Sequence, residues 1–224
     1  MTPERYARIV GVLDRRQPDL TVIADRVHKP HNISAIVRTC DAVGVGHVHV
    51  VWPEDDKDFR VLRRQAKGSQ QWVEVHEYNR VTEVADRLHA RGFTLVAAHF
   101  SERAVDYRTL DWTQPMALML GQEKDGITEE AAAVADVHAI IPMMGMVASY
   151  NVSVAAAIML AEAQRQRELA GLYARRRLPD EEYERLRFRW CHPLVARMCD
   201  ERGIPYPGLD EQGNIVDRES LRIG

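Results

Sequence analysis

A chain of 224 residues with 46% hydrophobic content carries enough apolar material for one sizeable core and a modest appendage. Thirty Lys and Arg stand against 33 Asp and Glu, and the resulting net charge of -3 excludes whole-molecule attraction to a polyanion. Any nucleic-acid surface must then be a local patch. The three cysteines, Cys40, Cys191 and Cys199, are odd in number and form no C-x-x-C pair, which argues against a disulfide framework or a cysteine-held zinc site, and no metal is expected. No apolar run is long enough to span a bilayer, and the arginine-bearing N-terminus has no apolar core of a leader, so the expectation is a soluble protein of the reducing cytoplasm with no membrane partner.

In chain order, Thr2 with Pro3 opens a first helix, and short β-branched runs then alternate with amphipathic stretches. Strands are predicted at Leu20 to Ile23, His47 to Val51, Trp72 to Val75, Thr94 to His99, Met116 to Leu120 and His138 to Ile141. Between them Asn32 is placed to cap a helix that Gly44 closes, and Asn79 and Gly92 bracket another. Such alternation predicts an α/β protein with a mostly parallel sheet flanked by helices, and ligands beyond the carboxyl ends of the strands. After Gly171 the pattern turns to an Arg-rich helix, a Pro179 break and a tail dotted with Pro and Gly, read as an appended helical extension. The expected division is residues 1–172 for the α/β domain with its N-terminal helix, and 173–224 for the extension.

Two loops stand out. Residues 140–156 read I-I-P-M-M-G-M-V-A-S-Y-N-V-S-V-A-A, a nearly uncharged loop running into a small-residue helix. Exposed loops are usually polar, so Met143, Met144, Met146, Val147 and Tyr150 predict packing against a ligand, a second subunit or the protein itself. Residues 121–128 read G-Q-E-K-D-G-I-T, with the glycine spacing of a phosphate loop, but Ile127 stands where that loop needs Lys. Gly44 and Gly46 fall between a helix and the next strand, the wrong order for a dinucleotide fingerprint. Neither nucleotide class is supported.

Three segments together carry a resemblance: H-N-I-S-A-I-V-R-T from His31, L-G-Q-E-K-D-G-I from Leu120, and I-P-M-M-G-M-V-A-S-Y-N-V-S-V-A from Ile141. In this order they resemble the three motifs of the SpoU, or SPOUT, class of S-adenosylmethionine-dependent RNA 2′-O-methyltransferases. The resemblance implies an α/β trefoil-knot fold, a homodimer, S-adenosylmethionine as cofactor, and tRNA as substrate, methylated at a D-loop guanosine at tRNA position 18. It also implies roles: Arg38 as catalytic residue with Asn32, Glu123, Ser149 and Asn151 as the motifs' polar groups. Cofactor contacts would come from Ala98, Leu120, Gly121, Ile141, Met143 and Tyr150. The family usually has Leu where this chain has the larger ring of Tyr150.

Methyl transfer from a sulfonium to a ribose hydroxyl is an in-line displacement, so holding oxygen, methyl and sulfur collinear supplies much of the acceleration. The hydroxyl must also lose a proton. A guanidinium stays protonated below a pKa of about 12, so Arg38 acts as base only in an unusual setting. The alternative is that its planar fork clamps an RNA phosphate while a phosphate oxygen or water takes the proton. Each residue also has an ordinary reading. Ile33, Ile36, Val37, Cys40 and Val43 form an apolar stripe from which Arg38 points away toward a pairing with Asp41; Asn32, Ser149 and Asn151 could be caps, and Glu123 a first-turn acid. Local basic patches offer an RNA path: Arg60, Arg63, Arg64 and Lys67 at helical spacing, Arg8 with Arg5, Arg15 and Arg16 on the first helix, His31 beside Asn32, and Arg165, Arg167, Arg175, Arg176 and Arg177 toward the C-terminus.

Overall fold

The structure is a computed structural model and describes residues 1–27, 29–52, 71–122 and 126–216. It divides into two compact units, Gln17–Leu172 and a second formed by Met1–Arg16 with Tyr173–Gly224. The boundary near residue 172 is where composition changed, but the first helix belongs with the C-terminal extension rather than with the α/β domain. The reason is its buried stripe, Ile9 and Leu13, which packs with the extension helices.

In the α/β unit the strands are β1 (Leu20–Asp25), β2 (His47–Val51), β3 (Glu74–Tyr78), β4 (Thr94–Ala98), β5 (Val105–Asp106), β6 (Met116–Leu120) and β7 (Val137–Ile140). They form one sheet in the order β3-β2-β1-β6-β4-β7-β5, with every pairing parallel. Helices α2 (Pro30–Ala42) and α5 (Val152–Leu169) cover one face; α3 (Val81–His89) and α4 (Glu129–Val134) cover the other. The predicted parallel α/β architecture is therefore present. Strand runs such as Met116–Leu120, buried at every position, belong to a sheet covered on both sides. Each such Val, Leu or Ile contributes about 1.5–3 kcal/mol by burial.

Local departures have local causes. Helix α2 starts at Pro30, whose fixed φ suits a first position, so Lys29 occupies the cap and Asn32 is already inside the helix. Arg80, not Asn79, precedes α3, and β3 begins two residues later than predicted, at Glu74. Gly44 and Gly92 close their helices at φ 87° and 78°.

In the other unit, α1 (Pro3–Leu13) ends before Arg15 and Arg16, and it joins α6 (Asp180–Cys191) and α7 (Pro193–Arg202). Arg16 is buried with its guanidinium 5.2 Å from the centre of the Trp190 ring, so it does not share a basic face with Arg8. Arg187 donates to the Tyr6 hydroxyl at 3.0 Å, and Phe188 stacks on Tyr206.

Candidate active site at the carboxyl ends of the strands

Register brings four strand ends level. Ala24 of β1 lies opposite Leu120 of β6, Ala97 of β4 opposite Met119, and Ala98 opposite Ala139 of β7. Because the sheet is parallel, the loops after β4, β6 and β7 leave side by side. Strand β6 inserts between β1 and β4 although it follows both in sequence, so neighbouring strands send their chains in different directions there. A crevice at such a place binds ligands in open α/β sheets.

The loop after β6 is pinched shut. Gln122 N–H donates to Gly126 O at 2.7 Å and Gly126 N–H returns a bond to Gln122 O at 3.0 Å. A Cβ on Gly121 would sit 2.1 Å from the Gly126 carbonyl carbon, and Gly126 has φ 71°, so both positions exclude a side chain. Glu123 lies outside the described residues. Asp25, buried at the end of β1, accepts from Thr128 N–H at 2.7 Å and anchors the loop's return. Residue 26 then turns at φ 53°, a left-handed conformation that Arg26 holds against its Cβ.

The loop after β4 is tied down by His138. Arg103 lies 2.7 Å from His138 Nε2, and because a guanidinium only donates, Nε2 accepts and Nδ1 is left to donate to Ser101 Oγ at 2.8 Å. His99, directly after Ala98, packs edge-on against His138, and burial, with these two neighbours, lowers its pKa. Asp25, His99 and His138 escaped sequence reasoning. Their positions beside strand ends were visible, but no spacing marks them as partners.

The loop after β7 holds the apolar run. Ile141 and Met143 are half-buried, whereas Met144, Met146, Val147 and Ser149 are exposed and Tyr150 partly so. Asn151 then caps α5, its Oδ1 accepting from Ser153 N–H at 2.9 Å and from Ser153 Oγ at 2.6 Å. Its amide donates to Asn32 Oδ1 at 3.3 Å, across 119 residues of sequence. Asn32 is buried at 2% exposure, which is unusual for an amide unless it is satisfied. The first and third motif segments thus meet at one point.

Arg38 lies six residues, about 9 Å of helix rise, beyond Asn32. It is exposed, and it forms neither the Asp41 pair expected of a surface helix nor any hydrogen bond with the described residues. The stripe behind it, Ile33, Ile36, Val37, Cys40 and Val43, is wholly buried, as its spacing predicts.

The proposed cofactor residues fit an adenosyl-methionyl ligand in one respect the structure shows. Leu120 is buried and Gly121 cannot carry a side chain, so β6 offers only backbone N–H and C=O groups at the crevice. Ala98 and Ile141 add small and apolar surface on the adjoining strand ends. That combination matches a neutral, hydrogen-bonding adenine with an apolar surround.

The basic candidates separate. Arg167 is completely buried, and this removes it from any RNA surface. Its guanidinium donates to Trp112 O at 2.8 Å, Gln17 Oε1 at 3.1 Å, Asp19 Oδ1 at 2.6 Å, Asp19 O at 3.2 Å and Gln114 O at 2.8 Å. Arg165 is exposed but chelated by Glu162, whose pKa falls to about 2 in consequence. Arg176 pairs with Asp180 and lies over the Tyr183 ring. Arg8, His31 and Arg175 are exposed and unpaired among the described residues. Arg60, Arg63, Arg64 and Lys67 lie outside those residues.

Comparison with known proteins gives the class. The SpoU rRNA Methylase family matches residues 19–161, and its C-terminal companion, SpoU, rRNA methylase, C-terminal, matches 165–218. The chain belongs to the SpoU methylase family. It is 50% identical over 217 residues to the tRNA (guanosine(18)-2′-O)-methyltransferase of Escherichia coli K12, covering 96% of this chain and 94% of that one. The crystal structure of the A. aeolicus TrmH/SpoU tRNA modifying enzyme superposes with a TM-score of 0.73 at 37% identity, over 91% of this chain and 98% of that one. The SpoU methyltransferase AviRb from Streptomyces viridochromogenes, in complex with AdoMet, superposes at 0.59 with 29% identity, over 70% and 62%.

Proposed function

We propose that this chain transfers a methyl group from S-adenosylmethionine to the ribose 2′-hydroxyl of a tRNA guanosine, in the D-loop at position 18. The observation of the structure that supports it most directly is the Asn151–Asn32 hydrogen bond joining the first and third motif segments, with Arg38 six residues further along α2, exposed and unpaired among the described residues. The 50% identity to the E. coli relative over 96% of this chain supports the substrate.

When bound, S-adenosylmethionine supplies an electrophilic methyl group on a sulfonium. The chain's own groups do the rest. Backbone atoms of Leu120, Gly121 and Ile141 and the side chains of Ala98, Met143 and Tyr150 hold the adenosine and exclude water. Asn32 and Asn151 fix the start of α5 against α2, with Ser149 and Glu123 as the motifs' further polar groups. Arg38 acts on the RNA, and its exposure and lack of a carboxylate partner among the described residues favour the phosphate clamp over the base, since an exposed guanidinium donates hydrogen bonds and does not accept a proton. Arg8, His31, Arg165, Arg175, Arg176 and Arg177, together with Arg60, Arg63, Arg64 and Lys67 outside the described residues, are the RNA-binding candidates that remain.

Three finer features belong to the same reading. The chain forms a trefoil knot, consistent with β6 inserting between β1 and β4 and β7 between β4 and β5. It works as a homodimer, whose interface takes up the exposed Met144, Met146, Val147 and Val154. It acts in the cytoplasm, in keeping with three free, buried cysteines; no helix of the described residues is long and apolar enough to cross a membrane.

The test is methylation of a defined tRNA transcript with labelled S-adenosylmethionine, followed by mapping of 2′-O-methylated positions. One methyl per transcript at guanosine 18, absent when that residue is 2′-deoxy, is expected. Methylation elsewhere, or none, would refute the assignment.

A further inference from the structure

At the far end of the same sheet a second cluster of chemistry faces α3. Strands β2 and β3 pair with His47 opposite Glu74 and His49 opposite His76, so alternation puts His47, His49, Glu74, His76 and Tyr78 on one face. His47 Nδ1 and His76 Nε2 are 3.0 Å apart, and His47 Nδ1 is 3.6 Å from Glu74 Oε2. One donor atom from each of the three lies within 4.8 Å of the others.

We propose that His47, Glu74 and His76 bind a single divalent transition-metal ion of the zinc type, with water completing a four-coordinate site. Bonds of about 2.0–2.1 Å in a tetrahedron place neighbouring donors about 3.3 Å apart. The two separations at His47 bracket that value and the third pair of donors lies within 4.8 Å, so the ion needs side-chain rotations rather than backbone movement. Two imidazoles and one carboxylate are the mixed nitrogen and oxygen set that zinc, rather than magnesium or calcium, prefers. The histidines are also held from behind. His49 stacks on His76 at 5.3 Å between ring centres, and its Nδ1 lies 3.3 Å from the Tyr78 hydroxyl, to which Arg87 donates at 3.2 Å. This packing restricts how the His76 ring can turn.

His47 and Glu74 are the first residues of their strands, whereas the methyl-transfer loops follow the last residues. The ion is therefore a clip that ties edge strand β3 to β2, away from catalysis. The cysteine pattern gave no sign of it, because its ligands come from two strands with no helical or finger-like spacing.

The experiment titrates zinc into the full chain after chelator treatment, following heat release and the melting temperature. One zinc per chain is expected, with a melting temperature that rises with zinc. His76→Gln and His47→Gln should each weaken binding by at least about 100-fold, the upper end of the effect of losing an outer partner alone. Glu74→Gln, which alters charge with little change of shape, should weaken it in the same direction, and melting in chelator shows each variant folded. His31→Gln should bind as wild type, and chelator should leave methylation rate unchanged. Failure of the wild type to bind zinc, undiminished binding in the cluster variants, or loss of binding in His31→Gln would overturn the site.

Discussion

Helix α5 is held in opposite ways at its two ends. At its start, Asn151 caps the helix and makes one 3.3 Å bond to Asn32 beside a loop of exposed methionines. Near its end, Arg167 is sealed from solvent and satisfied by five bonds from two neighbouring segments. A fully satisfied buried guanidinium fixes the C-terminal end of the helix, while the N-terminal end is held by a side-chain cap and an amide pair. Arginine identity alone does not separate the roles: Arg38 and Arg167 both sit on helices of this unit, one free in solvent and one structural.

The largest effect should come from the solvent-facing arginine. Arg38→Ala is expected to lower methylation by roughly 100- to 10,000-fold, as loss of a proton-transfer or charge-stabilising group does, with stability unchanged to within about 0.5 kcal/mol. A pH–rate profile for Arg38→Lys then sharpens the role: a clamp keeps the wild-type profile at reduced rate, a base moves the acid limb downward. Arg167→Ala should do the reverse, costing about 3–5 kcal/mol in denaturant unfolding because Asp19 and three carbonyls lose their donor. If Arg167→Ala unfolds at the wild-type midpoint but loses tRNA affinity, the contrast between the two arginines collapses.

Gly121→Ala tests the pinched loop. Its Cβ would overlap the Gly126 backbone, so the turn must open, and S-adenosylmethionine binding should weaken at least tenfold by calorimetry, about 1.4 kcal/mol. Unchanged affinity would mean that this loop does not line the cofactor crevice. Asn151→Ala removes a cap and should cost about 1 kcal/mol of stability while reducing methylation further than that figure accounts for. Loss confined to stability would leave Asn151 as a cap alone.

The smallest effect concerns the second unit. Neutralising Arg175, Arg176 and Arg177 together should lower the salt slope of tRNA binding by fewer than three units, because Arg176 is already paired with Asp180. Cofactor affinity should not change. An identical slope would move the RNA path elsewhere.

Much of this was legible in the sequence. Periodicity gave the parallel α/β class and the buried face of α2, because hydrophobic spacing is a local property that a two-sided sheet enforces. The composition of residues 140–156 set this loop apart from an ordinary polar linker, although Met144, Met146 and Val147 stand exposed, and the motif resemblance named both members of the Asn32–Asn151 pair. Strand and helix starts slipped by a residue or two where Pro30 or pairing register prevailed over capping propensity.

What tertiary structure alone decided is which polar groups meet. Asn32 reads as a cap and is instead a buried partner of Asn151; Arg167 reads as part of a basic stretch and is instead a buried clasp; His47, Glu74 and His76 read as scattered strand residues and converge on one face. Sequence carries the period of an element, and with it the face that is buried. It does not carry the register between strands or the order in which the sheet is assembled, and those two quantities bring His47, Glu74 and His76 together and set the strand ends level.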